Sequence, residues 1–321
     1  MKMRWYVLTL GKLQEQQAPF AWRERDLGQS GEIWIDVEDA KPEELRQLLT
    51  PLDLHPLQLA RCLDAVINPG VLAFGDSVLM EYPAAFDPES ADPAYLTVLL
   101  HTSVLITIRH GPMPALDDFR QSLLAEGAPL LRHLPELIYE ILDRFSDLNV
   151  EAQIGIRDRI LHAAKLMAED PNAISINDLA RLRWQVGNLI SLIENQLYCV
   201  TGLNASDNTA LQEPHRKAYI EDLVTESEIA QRGVYRLETR VNDLYRDYQM
   251  VGADRVEKRL RLLTIVSAIT LPLGLIAGLL GMNVGGVPGI NMAYGFAIVV
   301  TLMAMIALAQ YWYFRRHGWF D

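Results

Sequence analysis

Leu262–Leu280 reads LLTIVSAITLPLGLIAGLL, nineteen residues without a charge. A helix of that length rises about 28 Å, close to the roughly 30 Å hydrocarbon core of a bilayer. A second uncharged run, Met292–Phe314 (MAYGFAIVVTLMAMIALAQYWYF), has 23 residues and spans with some tilt. Between them lies Gly281–Asn291, GMNVGGVPGIN, with four glycines and one proline. Two such runs side by side read as a pair of transmembrane helices rather than as buried helices of a water-soluble core.

The flanks give an orientation. Arg255, Lys258, Arg259 and Arg261 precede the first run; Arg315, Arg316 and His317 follow the second; the connection has no Lys or Arg. The positive-inside rule puts both termini in the cytoplasm and the short loop outside. Tyr311, Trp312, Tyr313 and Trp319 make an aromatic belt at the cytoplasmic end. The apolar stretch in MKMRWYVLTLGK is too short for a secretory signal. The expectation is a multi-pass protein of the cell inner (plasma) membrane, with 1–255 cytoplasmic and 256–321 forming a two-span membrane domain.

The rest of the chain bounds the function. Its 321 residues carry a formal charge of -12, which argues against a general nucleic-acid binder. Hydrophobic residues make up 50%, so the chain is not disordered. Cys62 and Cys199 are too few for a disulfide scaffold or a four-cysteine zinc site. Residues 1–110 read as mixed α/β. Strands are expected at Arg4–Leu10, Glu32–Val37, Val71–Pro83, Ala94–Thr102 and Val104–His110, and helices at Pro42–Thr50 and Pro56–Ile67. Asp87–Pro93, DPESADP, reads as an acidic turn, with a metal site as the other reading.

From Met113 onward the texture is helical. Helices are expected from Pro114, over Leu134–Met167 and over Ile176–Val200, with a polar turn at Asn204–Asn208. A helix beginning near Pro214 meets no further proline until Pro272 and runs on to Leu280. It would be on the order of 100 Å long. A single helix cannot bury its own apolar stripe, so bundling with other copies is expected.

Gly281-Met282-Asn283, at the end of the first span, carries a resemblance. Two spans, a long helix feeding the first, Gly-Met-Asn closing it and Pro272 upstream resemble the CorA family of divalent cation transporters. The continuation Val284-Gly285-Gly286-Val287-Pro288-Gly289 has no acidic residue and looks more like the zinc-transporting ZntB branch than the magnesium branch. The resemblance implies a homopentamer in the lipid bilayer. The first spans would line a central pore and the second spans would face lipid. The N-terminal region would form an α/β/α funnel. It implies divalent metal ions as cargo, Zn²⁺ foremost, coupled to protons as in ZntB-like proteins; the two spans hold no Asp, Glu or His to carry a proton. It also implies that no catalysis is involved.

Stepping back from Gly281 by three or four residues gives Gly278, Gly274, Leu271, Ser267, Leu263, Leu260 and Glu257 as the pore-lining stripe. Gly281, Met282 and Asn283 form the entry. No ring inside the membrane carries a charge, so the ion is expected to keep much of its water, touched by the Asn283 amide and backbone carbonyls. Each residue has a plainer reading. Gly274 and Gly278 form a GxxxG that serves close helix packing. Gly281 caps a helix. The leucines pack or gate. Glu257 pairs with Arg261 at i+4.

Other chemistry is thin. His55 and Cys62 lie seven residues apart, about 10 Å of helical rise, too far to share one zinc. No Walker loop, nucleophile elbow or dinucleotide fingerprint follows a strand. Three functions compete: a zinc-preferring transporter, a Mg²⁺, Co²⁺ or Ni²⁺ channel of the CorA type, and a membrane-anchored oligomeric sensor or scaffold.

Overall fold

The computed structural model describes residues 2–16, 31–64, 68–90, 93–125, 131–171, 173–208, 211, 214–282 and 294–319. They fall into two compact units, Met1–Leu244 and Tyr245–Asp321.

The first unit is built on a seven-stranded sheet. Its strands are β1 Lys2–Thr9, β2 Lys12–Gln16, β3 Glu32–Glu38, β4 Gly70–Phe74, β5 Ser77–Ala85, β6 Ala94–His101 and β7 Val104–His110, in the order β2-β1-β3-β7-β6-β5-β4. All neighbours are antiparallel except β3 and β7, which pair in parallel from Ile33↔Val104 to Glu38↔Arg109. A parallel pair needs a long crossover, and here helices α1 Pro42–Leu49 and α2 Pro56–Leu63, together with β4–β6, supply it. Two strand expectations need correction. Val71–Pro83 is not one strand, because the two-residue loop Gly75-Asp76, with Gly75 at φ +55°, folds it into the β4–β5 hairpin. The polar KLQEQ of β2, not expected as a strand, pairs with β1 as a sheet edge and buries Leu13.

Period-two alternation gives the sheet two apolar faces. Ile33, Ile35 and Val37 of β3, with Val104, Ile106 and Ile108 of β7, pack under Leu45, Leu48 and Leu49 of α1 and Cys62 of α2. The opposite face presents Tyr6, Trp34, Met80, Tyr82, Leu96 and Val98 to three further helices. These are α3 Pro114–Leu124, α4 Leu134–Glu169 and α5 Ile176–Asn204. The fold of this unit is therefore α/β/α. Ile220 and Leu223, near the start of α6 (Pro214–Leu280), join that second core.

Two local devices hold the layers. Glu32 of β3 accepts from the backbone N–H of Leu134 at 2.7 Å, satisfying an N-terminal donor of α4. Ser175 and Asp178 form a reciprocal capping box at the start of α5, with Asp178 N–H donating to Ser175 Oγ at 3.2 Å and Ser175 N–H to Asp178 Oδ2 at 3.1 Å.

The second unit contains the C-terminal part of α6 and helix α7, Gly295–Arg316. α7 ends in a Schellman turn: Gly318, at φ +68°, donates to Arg315 O, and Trp319 donates to Phe314 O.

Candidate functional site

The uncharged segment of α6 has two unlike sides. Ile265 is 4% exposed, and Ala268, Pro272 and Ile276 on the same side are partly covered. This side meets α7, where Gln310 Nε2 donates to the carbonyl of Ala268 at 3.1 Å. About half a turn round the helix lie Leu260, Leu263, Ser267, Leu271, Gly274, Gly278 and Gly281, all exposed. Leu271 is 73% exposed. A Cβ placed on Gly274 or Gly278 would meet nothing within 4 Å. Gly281 is tighter: a Cβ there would lie 3.0 Å from the carbonyl of Ala277, which accepts from Gly281 N–H at 2.9 Å. The structure thus leaves Leu263, Ser267, Leu271, Gly274, Gly278 and Gly281 of the expected stripe open in the protomer, on the side away from α7.

Glu257 sits differently. Arg261 Nη2 lies 3.0 Å from its Oε1, the i+4 pair. Both line an open cleft of 510 Å³ with Leu260, Thr264, His317, Gly318 and Trp319. Met282 is exposed. Asn283 and the loop 284–291 lie outside the described residues.

Elsewhere, the readings of lesser chemistry resolve into structure. His55 caps α2, its Nδ1 accepting from Leu57 N–H at 3.3 Å, and stacks on Phe74 at 3.9 Å. Cys62 and Cys199 are buried, and burial pushes each thiol up to about 12. The acidic turn is held on α5: Arg181 pairs with Glu89, and Gln185 and Asn188 donate to the carbonyls of Pro88 and Ser90. Among the described residues no three His, Cys, Asp or Glu side chains gather as a metal site.

Two features were not expected from sequence. One is a buried polar seam between the sheet and α3. Arg109 donates to both oxygens of Asp36, at 3.0 and 2.5 Å, and lies 3.0 Å from Asp117; Thr107 donates to Asp36 and receives from Trp34 Nε1. The other is a group of carboxylates from α4 and α6: Asp143, Asp147, Asp222 and Glu226, with Tyr139 donating to Asp222 at 2.9 Å. Burial first, and then the neighbouring acids, push Glu226 up to about 7.

An α/β/α domain is followed by two helices long and apolar enough to cross a membrane, the second packed on the first. Residues 29–316 match the family model described as "CorA-like Mg2+ transporter protein". The chain belongs to the CorA family of divalent cation transporters. It is 25% identical to the cobalt/magnesium transport protein CorA of Methanocaldococcus jannaschii, over 89% of this chain and 91% of that one. It is 24% identical to the divalent cation transporter CmaX of Pseudomonas aeruginosa, over 92% and 89%. Identity to the zinc transport protein ZntB of Yersinia enterocolitica is 22%, over 89% and 87%. The solved CorA magnesium transporter of M. jannaschii superposes with a TM-score of 0.84 over 99% of each chain at 18% identity. That likeness bears out the α/β domain, the long helix and the two C-terminal apolar helices.

Proposed function

We propose that five copies of this chain surround an axis in the cell inner membrane, with the open stripe of α6 facing that axis and α7 facing lipid. A divalent cation passes along Glu257, Leu260, Leu263, Ser267, Leu271, Gly274, Gly278 and Gly281. It enters at Met282 and Asn283. The observation that carries the reading is the exposure of an uncharged, partly glycine stripe on the side of α6 away from α7: one protomer leaves it bare, and two spans cannot enclose a path. A ring of copies covers the flanks and leaves the stripe as a lumen. Residues 1–255, with both termini, lie in the cytoplasm, and 256–321 form the pore part. With no carboxylate on the stripe above Glu257 or in the loop, the ion moves with most of its water shell.

Zn²⁺ is the proposed cargo, on the strength of the loop 284–289, which lacks an acidic residue. Transport of Mg²⁺ or Co²⁺ is the second reading, favoured by the identity to the cobalt/magnesium transporter. Flux of Zn²⁺ and of Mg²⁺ into liposomes holding the full chain, with and without a pH gradient, tests both. Zn²⁺ entry exceeding Mg²⁺ entry is expected, and so is indifference to the pH gradient, since the spans hold no Asp, Glu or His. Faster Mg²⁺ entry would install the second reading; no entry of either would leave the scaffold alternative.

A further inference from the structure

Pro272 stands inside the uncharged part of α6. A proline has no N–H to give the carbonyl four residues back, and its ring pushes that carbonyl aside. The carbonyl is that of Ala268. In the hydrocarbon of a bilayer no water stands by to satisfy it, and an unpaired backbone group there is costly. The donor comes from the other span: Gln310 Nε2 donates to Ala268 O at 3.1 Å. Gln310 is the one carboxamide side chain in the run Met292–Phe314. The threonines of the two spans turn back instead on their own helices, Thr264 to Leu260, Thr270 to Val266 and Thr301 to Ala297. Reversing the Gln310 amide would set two oxygens against each other, so the contact fixes its orientation. Its Oε1 is buried with no partner among the described residues. A leucine would avoid that cost, so packing does not explain the glutamine, whereas the freed carbonyl does.

We propose that Gln310 is a positioning residue for the pore helix. It ties α7 to α6 at the carbonyl that Pro272 frees, and so sets the direction of the segment carrying Gly274, Gly278 and Gly281. The role in transport rests on the pore reading above; the tie itself is measured without flux.

The test is a double-mutant cycle on the full chain, in detergent and then in liposomes. Gln310→Met keeps the volume and removes the donor. Pro272→Ala returns an N–H to the carbonyl of Ala268 and makes the amide dispensable. In the native background Gln310→Met should lower the melting temperature by about 2–4 °C and divalent cation flux about threefold. In the Pro272→Ala background it should change neither. Equal losses in both backgrounds would show an effect of packing alone and overturn the proposal, as would no loss in either. Should Pro272→Ala not assemble, amide hydrogen exchange over 264–276 decides: faster exchange in Gln310→Met is expected, and unchanged exchange overturns the tie. A wild type that passes no divalent cation would defeat the pore reading and leave the melting cycle to judge the tie.

Discussion

Replacing Gly274 and Gly278 together by alanine separates a pore wall from a close helix contact. In the protomer neither new methyl meets an atom within 4 Å. Alanine is favoured over glycine in a helix interior by about 0.8–1.0 kcal/mol per position, so the pair should stabilise α6 by about 1.5–2 kcal/mol. If the stripe faces a lumen, no neighbour opposes that gain. Assembly should survive and the melting temperature should rise, while a ring of methyls at each of two levels narrows the path and flux falls. If Gly274 and Gly278 instead seat a neighbouring helix, each methyl overpacks the contact at about 1–3 kcal/mol, enough to cancel the gain and release subunits. The assay is the mass of the purified variant in detergent, its melting temperature, and flux at equal protein density. Dissociation into smaller species would refute the lumen assignment, and so would a stabilised assembly with native flux.

Two further outcomes follow from the first unit. Asp36→Leu takes the bidentate partner from the buried Arg109, leaving it Asp117, and should cost about 3 kcal/mol, whereas Asp36→Leu with Arg109→Leu should cost less; thermal unfolding of the two variants checks the contrast. Glu226 has its pKa raised from 4.5 to about 7, so its contribution to stability is complete below about pH 4.5 and is lost as the pH climbs through about 7. The side chain is only partly buried, so the loss is about 1 kcal/mol after screening. Glu226→Gln should flatten the fall in melting temperature between pH 5 and pH 8, and a slope equal to that of the wild type would show that the carboxylate group of α4 and α6 is not coupled to folding.

Much of the architecture was legible because it follows from period and punctuation. Pro214 opens α6 and its run ends at Leu280, the bounds expected from proline placement and the loss of apolar periodicity. Val104–His110, a run rich in β-branched residues and bounded by Ser103 and Gly111, is a strand buried on both faces. β2 was illegible because its stability comes from pairing with β1: it buries a single leucine and otherwise reads as a polar connection. The β4–β5 hairpin was hidden because Gly75-Asp76 interrupts an apolar run without changing its composition.

Site residues divide in the same way. The stripe on α6 is a matter of helical spacing and can be counted off the sequence. Gln310 could have been singled out as the lone amide of its span. Its partner could not, because the link joins a carbonyl freed by Pro272 to a side chain 42 residues further on. The pairing of Asp36 with Arg109 was illegible for a like reason: it exists only because β3 and β7 lie side by side in parallel register.

The most direct test of the account is flux through Asn283→Ala, reconstituted in liposomes at the protein density of the wild type. If Asn283 lines the entry as proposed, its truncation should leave assembly as in the wild type. Without the proposed ring of amide oxygens to orient the waters of the entering ion, divalent cation flux should be abolished. Wild-type flux in the alanine variant would contradict the account, leaving Asn283 without a part in ion entry.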